Sequence, residues 1–293
     1  MISCSNTTYA ADRRSSRALA GGLLAAAAGL AVAHAGPGIT ALRSVRLTLF
    51  PRLSGTAAAG AAAAGAAASG ARVPDAAPDA AAPDAAASDH VALTFDDGPD
   101  PESTPLFLEL LRERGVHATF FLLGSQVSRA PRLAADIADA GHEVAVHGWR
   151  HRYLPLRTPV ATYDDLASAK EIITATTGIT PWLFRPPYGV LSTAALVFAR
   201  RLGLTPVLWS AWGREWMPGS TPESVHATLA SGLKGGATVL LHDSDCTSPP
   251  GSWRAAIGAL PLLLDECDRR ALRVGPLGDH GPHWRPPPSQ GHR

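Results

Sequence analysis

The sequence lacks a large charge imbalance and contains little cysteine. With a formal net charge of +1 over 293 residues, the chain is not expected to capture nucleic acid or an acidic polymer electrostatically. Of its three cysteines, Cys4 would leave with a cleaved export signal, and Cys246 and Cys267 can form a disulfide in an oxidising compartment or remain unpaired. Residues 56–89 contain no Leu, Ile, Phe or Trp, which excludes a hydrophobic core in that tract.

The first 35 residues predict export. Arg13, Arg14 and Arg17 precede an uncharged Ala/Leu/Gly run, and residues 33–35 have the small-x-small pattern of a cleavage site. An uncut membrane anchor is the alternative, because no further Lys, Arg, Asp or Glu occurs before Arg43 and a span needs about 20 mostly apolar residues. Both interpretations place the remaining chain outside the cytoplasm, either secreted or anchored on the extracytoplasmic face of the membrane.

The remaining chain divides by composition. Residues 36–89 are interpreted as a linker, which is a low-complexity Ala/Pro/Asp-rich tether from residue 56. Residues 90–277 have the patterning of one folded domain. The Pro-rich, patternless residues 278–293 predict a disordered tail.

Short apolar runs alternate with segments of helical period throughout the domain. The predicted strands are VALTF, ATFFLL, HEVAVH, WLFRPP, PVLWSA, TVLLH and LRVGPL. The predicted helices include TPLFLELLRERG, PRLAADIADAG, STAALVFARRLG and TPESVHATLASGLKGG. In the first of these, Thr104 and Pro105 open the helix and Gly115 closes it. Repeated strand–helix units predict an α/β protein whose parallel sheet closes toward a barrel, with its chemistry at the carboxyl ends of the strands.

Polar and aromatic side chains follow five predicted strands. In chain order they are Asp96 and Asp97, His147 and His151, Arg185 and Tyr188, Trp209 to Trp216, and His242. Because the carboxyl ends of parallel strands lie at one end of a barrel, we expect these side chains to share one site. A second acidic pair, Asp164-Asp165, is interpreted instead as part of the first turn of a helix, where carboxylates complement the helix dipole.

The HGWRH segment predicts a metal site. His147 and His151 are four residues apart, which places two imidazoles on one side of a helical turn. Together with Asp97 they suit a catalytic zinc, because three protein ligands leave one position open for water. A cation there would neutralise Asp97 and leave Asp96 free to act as general base.

Two further strand ends carry catalytic candidates. Arg185 can orient Asp96, and a backbone amide of the Pro-Pro-Tyr turn that follows can donate to a developing oxyanion. His242 follows the apolar run TVLL, where it can protonate a leaving group or serve as a buried structural histidine.

These motifs resemble the polysaccharide deacetylases with a NodB-homology domain, also called carbohydrate esterase family 4. The resemblance covers residues 91–277 and rests on TFDDGP, HGWRH, RPPYG, WGREW and TVLLH in the family's order. It implies a distorted (β/α)7 TIM-like barrel. The roles that it implies are Asp96 as base, Asp97, His147 and His151 as metal ligands, Arg185 as partner of the base, Tyr188 as oxyanion contributor and substrate contact, Trp216 and Leu240 as substrate contacts, and His242 as acid beside Glu215.

Two residues depart from the family pattern. Gly148 stands where Ser or Thr usually follows the first metal-binding histidine, and its missing side chain predicts a looser loop. Glu215 stands where Asp is usual, and its longer side chain can still reach His242. Neither change removes a metal ligand, the base or the acid, so we expect an active enzyme.

An aromatic cluster is predicted at the same end of the barrel, and about half of it is expected to fill the core. Its members are Trp149, Tyr153, Tyr188, Trp209, Trp212 and Trp216. Flat apolar faces suit sugar rings. The remaining histidines, including His280 and His283, are interpreted as surface or tail residues.

The resulting hypothesis is a metal-dependent hydrolase that removes acetyl groups from N-acetylated, or less favourably O-acetylated, polysaccharide such as peptidoglycan or chitin-like oligomers. Zinc is the favoured metal, with Co²⁺ or Ni²⁺ as alternatives, and a monomer is expected. The competing hypotheses are a carbohydrate-binding protein that has lost turnover and a hydrolase of small amides.

Overall fold

The computed structural model describes residue 53 and residues 89–281. The strands are β1 His90–Asp96, β2 Thr119–Leu122, β3 Glu143–Val146, β4 Leu183–Phe184, β5 Thr205–Pro206, β6 Ala211–Trp212, β7 Thr238–His242 and β8 Arg273–Gly275. The helices are α1 Thr104–Arg114, α2 Gly124–Arg129, α3 Pro131–Asp139, α4 Pro159–Thr177, α5 Thr193–Arg201, α6 Pro222–Gly232 and α7 Trp253–Arg269. The predicted export segment, most of the predicted linker and residues 282–293 lie outside the described residues.

The sheet is parallel and has β1 near its centre. Strand order is β5-β4-β3-β2-β1-β7-β6, and β8 pairs with the first residues of β1. All seven residues of β1 are buried, as expected for a strand that is covered on both faces. The register sets Asp96 beside Phe121 of β2 and beside His242 of β7. The sheet curls into a half-barrel with helices packed against it, which confirms the predicted α/β architecture.

The PVLWSA run forms two short strands rather than the single strand predicted. Four residues separate β5 from β6, and the backbone changes partners among them: Val207 N still donates to the carbonyl of Phe184 in β4, Leu208 N donates to that of Leu53, and Ser210 N donates to that of Thr238. Pro206 has no backbone N–H, which limits pairing at this point. Leu53, within the predicted linker, therefore contacts the seam between β5 and β6.

Helix boundaries follow local sequence signals. Gly115 adopts φ 63° after α1, so its left-handed conformation ends that helix as predicted. Ser192 and Thr221 cap α5 and α6 by accepting backbone N–H bonds through their hydroxyl oxygens. Within the described residues, no helix combines the length and apolarity needed to cross a bilayer.

Several histidines interpreted as surface or tail residues are buried instead. His280 lies in a short 3-10 helix next to β1 and contacts both His90 and Thr238. His142 accepts the backbone N–H of Ala118 through Nδ1 at 3.2 Å. Hydrophobic periodicity could not predict the burial of these histidines, because a single polar residue at the end of a strand gives the same sequence pattern whether it is buried or solvated.

These buried histidines predict a loss of stability in acid. Burial lowers the pKa of His142 to about 4 and that of His280 to about 3, with nearby histidines adding to the effect. The unfolded chain binds more protons below about pH 6.5, so stability is fully present above that pH and falls as the pH is lowered. We expect a loss of about 2 kcal/mol per histidine between pH 7 and pH 5.

Urea denaturation at several pH values measures this loss. The His142→Gln variant keeps an acceptor for Ala118 and should show a shallower pH dependence than the parent. Equal stability of the parent at pH 7 and pH 5 would contradict the prediction.

Candidate active site

Alternation along β1 determines where its terminal carboxylates point. Residues 91, 93 and 95 pack in the large core, whereas Ala92 belongs to the smaller cluster on the other face. Asp96 shares the face of Ala92 because side chains alternate along a strand. Asp97 would point away, but its left-handed φ of 79° turns the chain. Both carboxylates therefore approach His147 Nε2, with Asp96 Oδ2 at 3.7 Å and Asp97 Oδ1 at 3.3 Å.

The three predicted metal ligands lie together. Asp97, His147 and His151 each offer one ligand atom within 4.8 Å of the others. Asp97 is buried, and its Oδ1 has no hydrogen-bond partner among the described residues. Thr247 donates its hydroxyl to the other oxygen, Oδ2, at 2.5 Å. A buried anionic oxygen without a donor is costly unless a cation compensates it, so these residues fit a divalent metal ion.

Ring orientation and protonation also suit metal binding. His147 Nδ1 lies 2.7 Å from the carbonyl of Arg185, which can only accept, so Nδ1 carries a proton and Nε2 faces Asp97. Burial lowers the pKa of His151 to about 4, which keeps that ring neutral. Burial opposes a charge on His147 as well, but Asp96 and Asp97 outweigh it and raise the pKa of His147.

Arg185 holds Asp96 from inside the barrel. The guanidinium is fully buried and donates through Nη1 to Asp96 Oδ1 and to Thr94 Oγ1, each at 2.7 Å. Its Nη2 donates to the carbonyl of Leu208 at 3.0 Å, and its Cζ atom lies 4.0 Å from the ring centre of Phe121. A buried arginine requires such pairing, and Asp96 thereby gains a fixed orientation.

His242 lies beside Asp96 in register, at the end of β7. Its Nδ1 is 2.7 Å from Glu215 Oε1. Burial opposes protonation of His242, but the negative charges of Glu215, Asp97 and Asp96 outweigh it and raise the pKa of His242 to about 9. The longer Glu215 side chain fits because Gly213 has no Cβ, which would lie 2.8 Å from Glu215 Oε2.

Tyr188 and the aromatic residues form one wall of the site. Tyr188 adopts φ 59° in a short 3-10 turn, and its ring lies 4.3 Å from that of His151. Trp209, Trp212 and Trp216 follow one another at centroid distances of 5.9 and 5.6 Å, and the last is 5.2 Å from the ring of His242.

These side chains line an open cavity of about 220 Å³. Its lining includes Asp96, His147, His151, Tyr188, Trp209, Trp212, Trp216, Leu240 and His242. Four of the six predicted aromatic residues belong to this lining, whereas Trp149 packs against the core. Arg185 and Glu215 contact lining residues from behind.

Two residues near the site were not predicted. Thr247 lies in the loop after β7 and contacts Asp97. Asp243, the first residue after β7, is buried and accepts from the Thr104 hydroxyl at 2.5 Å, while Ser103 takes the N-cap position of α1. Burial raises the pKa of Asp243 to about 7. In the sequence, the only sign of a role for these two residues is that they closely follow His242. Hydroxyl-rich and acidic loops are too common to indicate a site by themselves.

The structure corrects two interpretations of this part of the chain. His147 and His151 lie in an irregular loop and not on one side of a helical turn. In that loop, Asp165 Oδ2 accepts the backbone N–H of Trp149, the residue after Gly148, at 2.8 Å. Asp165 is not in the first turn of a helix, because α4 begins at Pro159.

Cys246 and Cys267 are both free thiols. Cys267 is buried in α7, while Cys246 donates from the loop after β7 to the carbonyl of Asp97 at 3.5 Å. Of the two alternatives, the structure therefore supports unpaired thiols.

Comparisons with known proteins agree with this geometry. The polysaccharide deacetylase family model matches residues 84–207. A chitooligosaccharide deacetylase of a Bradyrhizobium species is 35% identical over 197 residues, covering 64% of this chain and 88% of the relative. A peptidoglycan-N-acetylglucosamine deacetylase of Bacillus cereus is 34% identical over 186 residues, covering 62% and 84%.

A solved structure of a peptidoglycan N-acetylglucosamine deacetylase superposes with a TM-score of 0.62 at 28% identity, covering 66% of this chain and 88% of that one. Fold, motif order and sequence identity therefore lead to the same conclusion: the chain belongs to the polysaccharide deacetylase family and is a hydrolase of that kind.

Proposed function

We propose that this chain is a metal-dependent hydrolase that removes acetyl groups from N-acetylated polysaccharide. The observation that carries the proposal is the bare Asp97 oxygen between two imidazoles, with Asp96 on one side and His242 on the neighbouring strand. The names of the relatives support an N-acetylated sugar polymer over an O-acetylated one.

Asp97, His147 and His151 would hold the metal. Two imidazoles and one carboxylate with an open position favour zinc, although Co²⁺ or Ni²⁺ also suit such ligands. When bound, a divalent ion polarises a carbonyl and lowers the pKa of coordinated water. Thr247 and the carbonyl of Arg185 would orient two of the ligands.

Asp96 is proposed as the general base. Its Oδ1 is held by Arg185, so Oδ2 remains on the side of His147 and the cavity. From there it can take a proton from the attacking water. The Tyr188 backbone amide is proposed to donate to the oxyanion that forms on the acetyl carbonyl.

His242 is proposed as the general acid. Its raised pKa keeps it protonated at neutral pH, and its bond to Glu215 through Nδ1 directs the other nitrogen away from that carboxylate. It can then protonate the amine as the amide C–N bond breaks. Leu240 and Trp216 would contact the acetyl group and the sugar.

We further propose that residues 90–277 act outside the cytoplasm, with residues 1–35 as a cleaved signal or an anchor and residues 36–89 as a linker. Peptidoglycan or chitin-like oligomers are the proposed substrates, and a monomer is the proposed active form.

Acetate release from a panel of N- and O-acetylated glycans, with and without chelator, tests the function. We expect release from N-acetylated oligomers that the chelator removes. Glycan binding without acetate release would support the impaired binding protein instead. Turnover of small amides alone would support the third hypothesis.

Removing the charge of Glu215 should shift the pH profile of the reaction. In Glu215→Gln, the pKa of His242 should fall, so the alkaline limb of kcat/KM should move to lower pH by about one to three units. A cation at the triad would itself lower the pKa of His242 in both proteins, which leaves the direction of the difference unchanged.

The exposed Glu223 of α6 provides the matched control, and Glu223→Gln should leave the profile unchanged. Superimposable alkaline limbs for the parent and Glu215→Gln would contradict the assigned role of His242.

A further inference from the structure

The loop that follows β3 carries both histidines of the proposed metal site. Its backbone is held on one side by α2, because Gly124 N donates to the carbonyl of Gly148 and Ser125 N donates to that of Trp149, each at 2.9 Å. The amide N–H groups of the same loop point the other way, toward α4.

Asp165 of α4 satisfies those amides. Its Oδ2 accepts the backbone N–H of Trp149 at 2.8 Å, and the carboxylate also accepts that of Arg150. Both donors lie between His147 and His151 in the chain. The Asp165 carboxylate therefore accepts hydrogen bonds from the backbone that connects the two histidines and sets the distance between their imidazoles.

Gly148 is what allows this carboxylate to approach. It adopts φ 91°, and a Cβ at that position would lie 2.7 Å from Asp165 Oδ2. Any larger residue would strain the backbone and displace the carboxylate. The Asp165 carboxylate thus occupies the space that a side chain at position 148 would fill.

Burying the Asp165 carboxylate costs free energy. Its side chain is buried, and burial raises its pKa, while the two amides, Arg157 and Arg152 oppose that rise. The neighbouring Asp164 is exposed. A buried carboxylate requires such partners, and here the partners are the backbone between two proposed metal ligands.

We propose that Asp165 is a positioning residue of the metal site, which fixes the loop bearing His147 and His151 through the amides of Trp149 and Arg150. The inference rests on the proposed function in so far as the triad binds a metal. Partners that orient ligands typically contribute about 10- to 100-fold to metal affinity.

Titration of metal-free protein with Co²⁺, followed by visible absorption, measures the effect. Asp165→Ala should weaken Co²⁺ binding by about 10- to 100-fold, while the control Asp164→Ala should bind like the parent. Asp165→Asn keeps an acceptor oxygen and should lie closer to the parent than Asp165→Ala does. Gly148→Ala keeps Asp165 but should weaken binding as well, because it displaces the carboxylate.

Hydrogen exchange of the metal-free protein tests the same contact without a metal. Peptides spanning residues 147–153 should exchange faster in Asp165→Ala than in Asp164→Ala. Equal Co²⁺ affinity in these two variants, or equal exchange of this loop, would overturn the proposal. If Asp165→Ala does not fold, Asp165→Asn and Gly148→Ala decide the matter, and parent-like affinity and exchange in both would overturn it.

If the proposed metal-dependent function is wrong, these experiments give a different result. In that case the parent and Asp97→Ala would bind Co²⁺ equally weakly, whereas the exchange difference between the Asp165 and Asp164 variants would persist.

Discussion

Asp96→Asn is expected to lower kcat for acetate release by about 10²–10⁴-fold while the protein keeps its metal. The amide oxygen of asparagine can still accept from Arg185, so the geometry of the barrel mouth is preserved, but it cannot take a proton. Loss of the negative charge leaves the buried Arg185 less well compensated, so a lower melting temperature is also expected. Single-turnover kinetics, metal content and melting temperature measure the three effects.

Asp97→Asn provides the comparison, because it alters the adjacent carboxylate. It should lose metal affinity first, and its activity should recover in part at high metal concentration. The Asp96 variant should not recover under the same conditions. Two variants with equal metal content and equal residual activity would contradict the separate roles of these aspartates.

Exhaustive chelation is expected to abolish acetate release, and Zn²⁺ or Co²⁺ should restore it. Apparent affinity should fall as the pH is lowered, because protons compete with the metal for the imidazole nitrogens and Asp96 and Asp97 raise the pKa of His147. Each displaced proton makes affinity change by about tenfold per pH unit. Competition with a chromophoric chelator between about pH 5.5 and about pH 8 measures the slope.

Asp97→Ala serves as the control for this experiment, since it removes the bare oxygen of the triad. Metal addition should not restore activity in that variant. Full activity of the parent after chelation, or an affinity independent of pH, would contradict the prediction.

The sequence predicted those parts of the site that depend on regular structure. Asp96 and His242 directly end buried apolar strands, and parallel strands bring such residues to one end of a sheet. His147 and His151 were predicted from a helical spacing that the structure does not show, and these two proposed ligands lie close together because one short irregular loop carries both. Glu215 was also expected near His242, and the contact is present.

Contacts between distant segments could not be predicted in the same way. Thr247 reaches Asp97 across 150 positions, and Asp165 reaches the histidine loop from a helix whose start was misplaced. The burial of His280 depends on how the chain folds back against β1 after β8. None of these contacts leaves a periodic pattern, because each depends on three-dimensional packing.

The register between β1 and β7 has a consequence for how the enzyme can diversify. Asp96 and His242 are paired positions on adjacent strands, so the spacing of the proposed base and acid is set by the interstrand distance of about 4.8 Å. The loops that follow β3, β4 and β6 can lengthen or shorten without changing that spacing only beyond the residues that hold the site, such as His151, Arg185 and Glu215. Grafting such loops from a relative should therefore transfer polymer preference while leaving the proton-transfer groups aligned, whereas a one-residue slip between β1 and β7 would separate them.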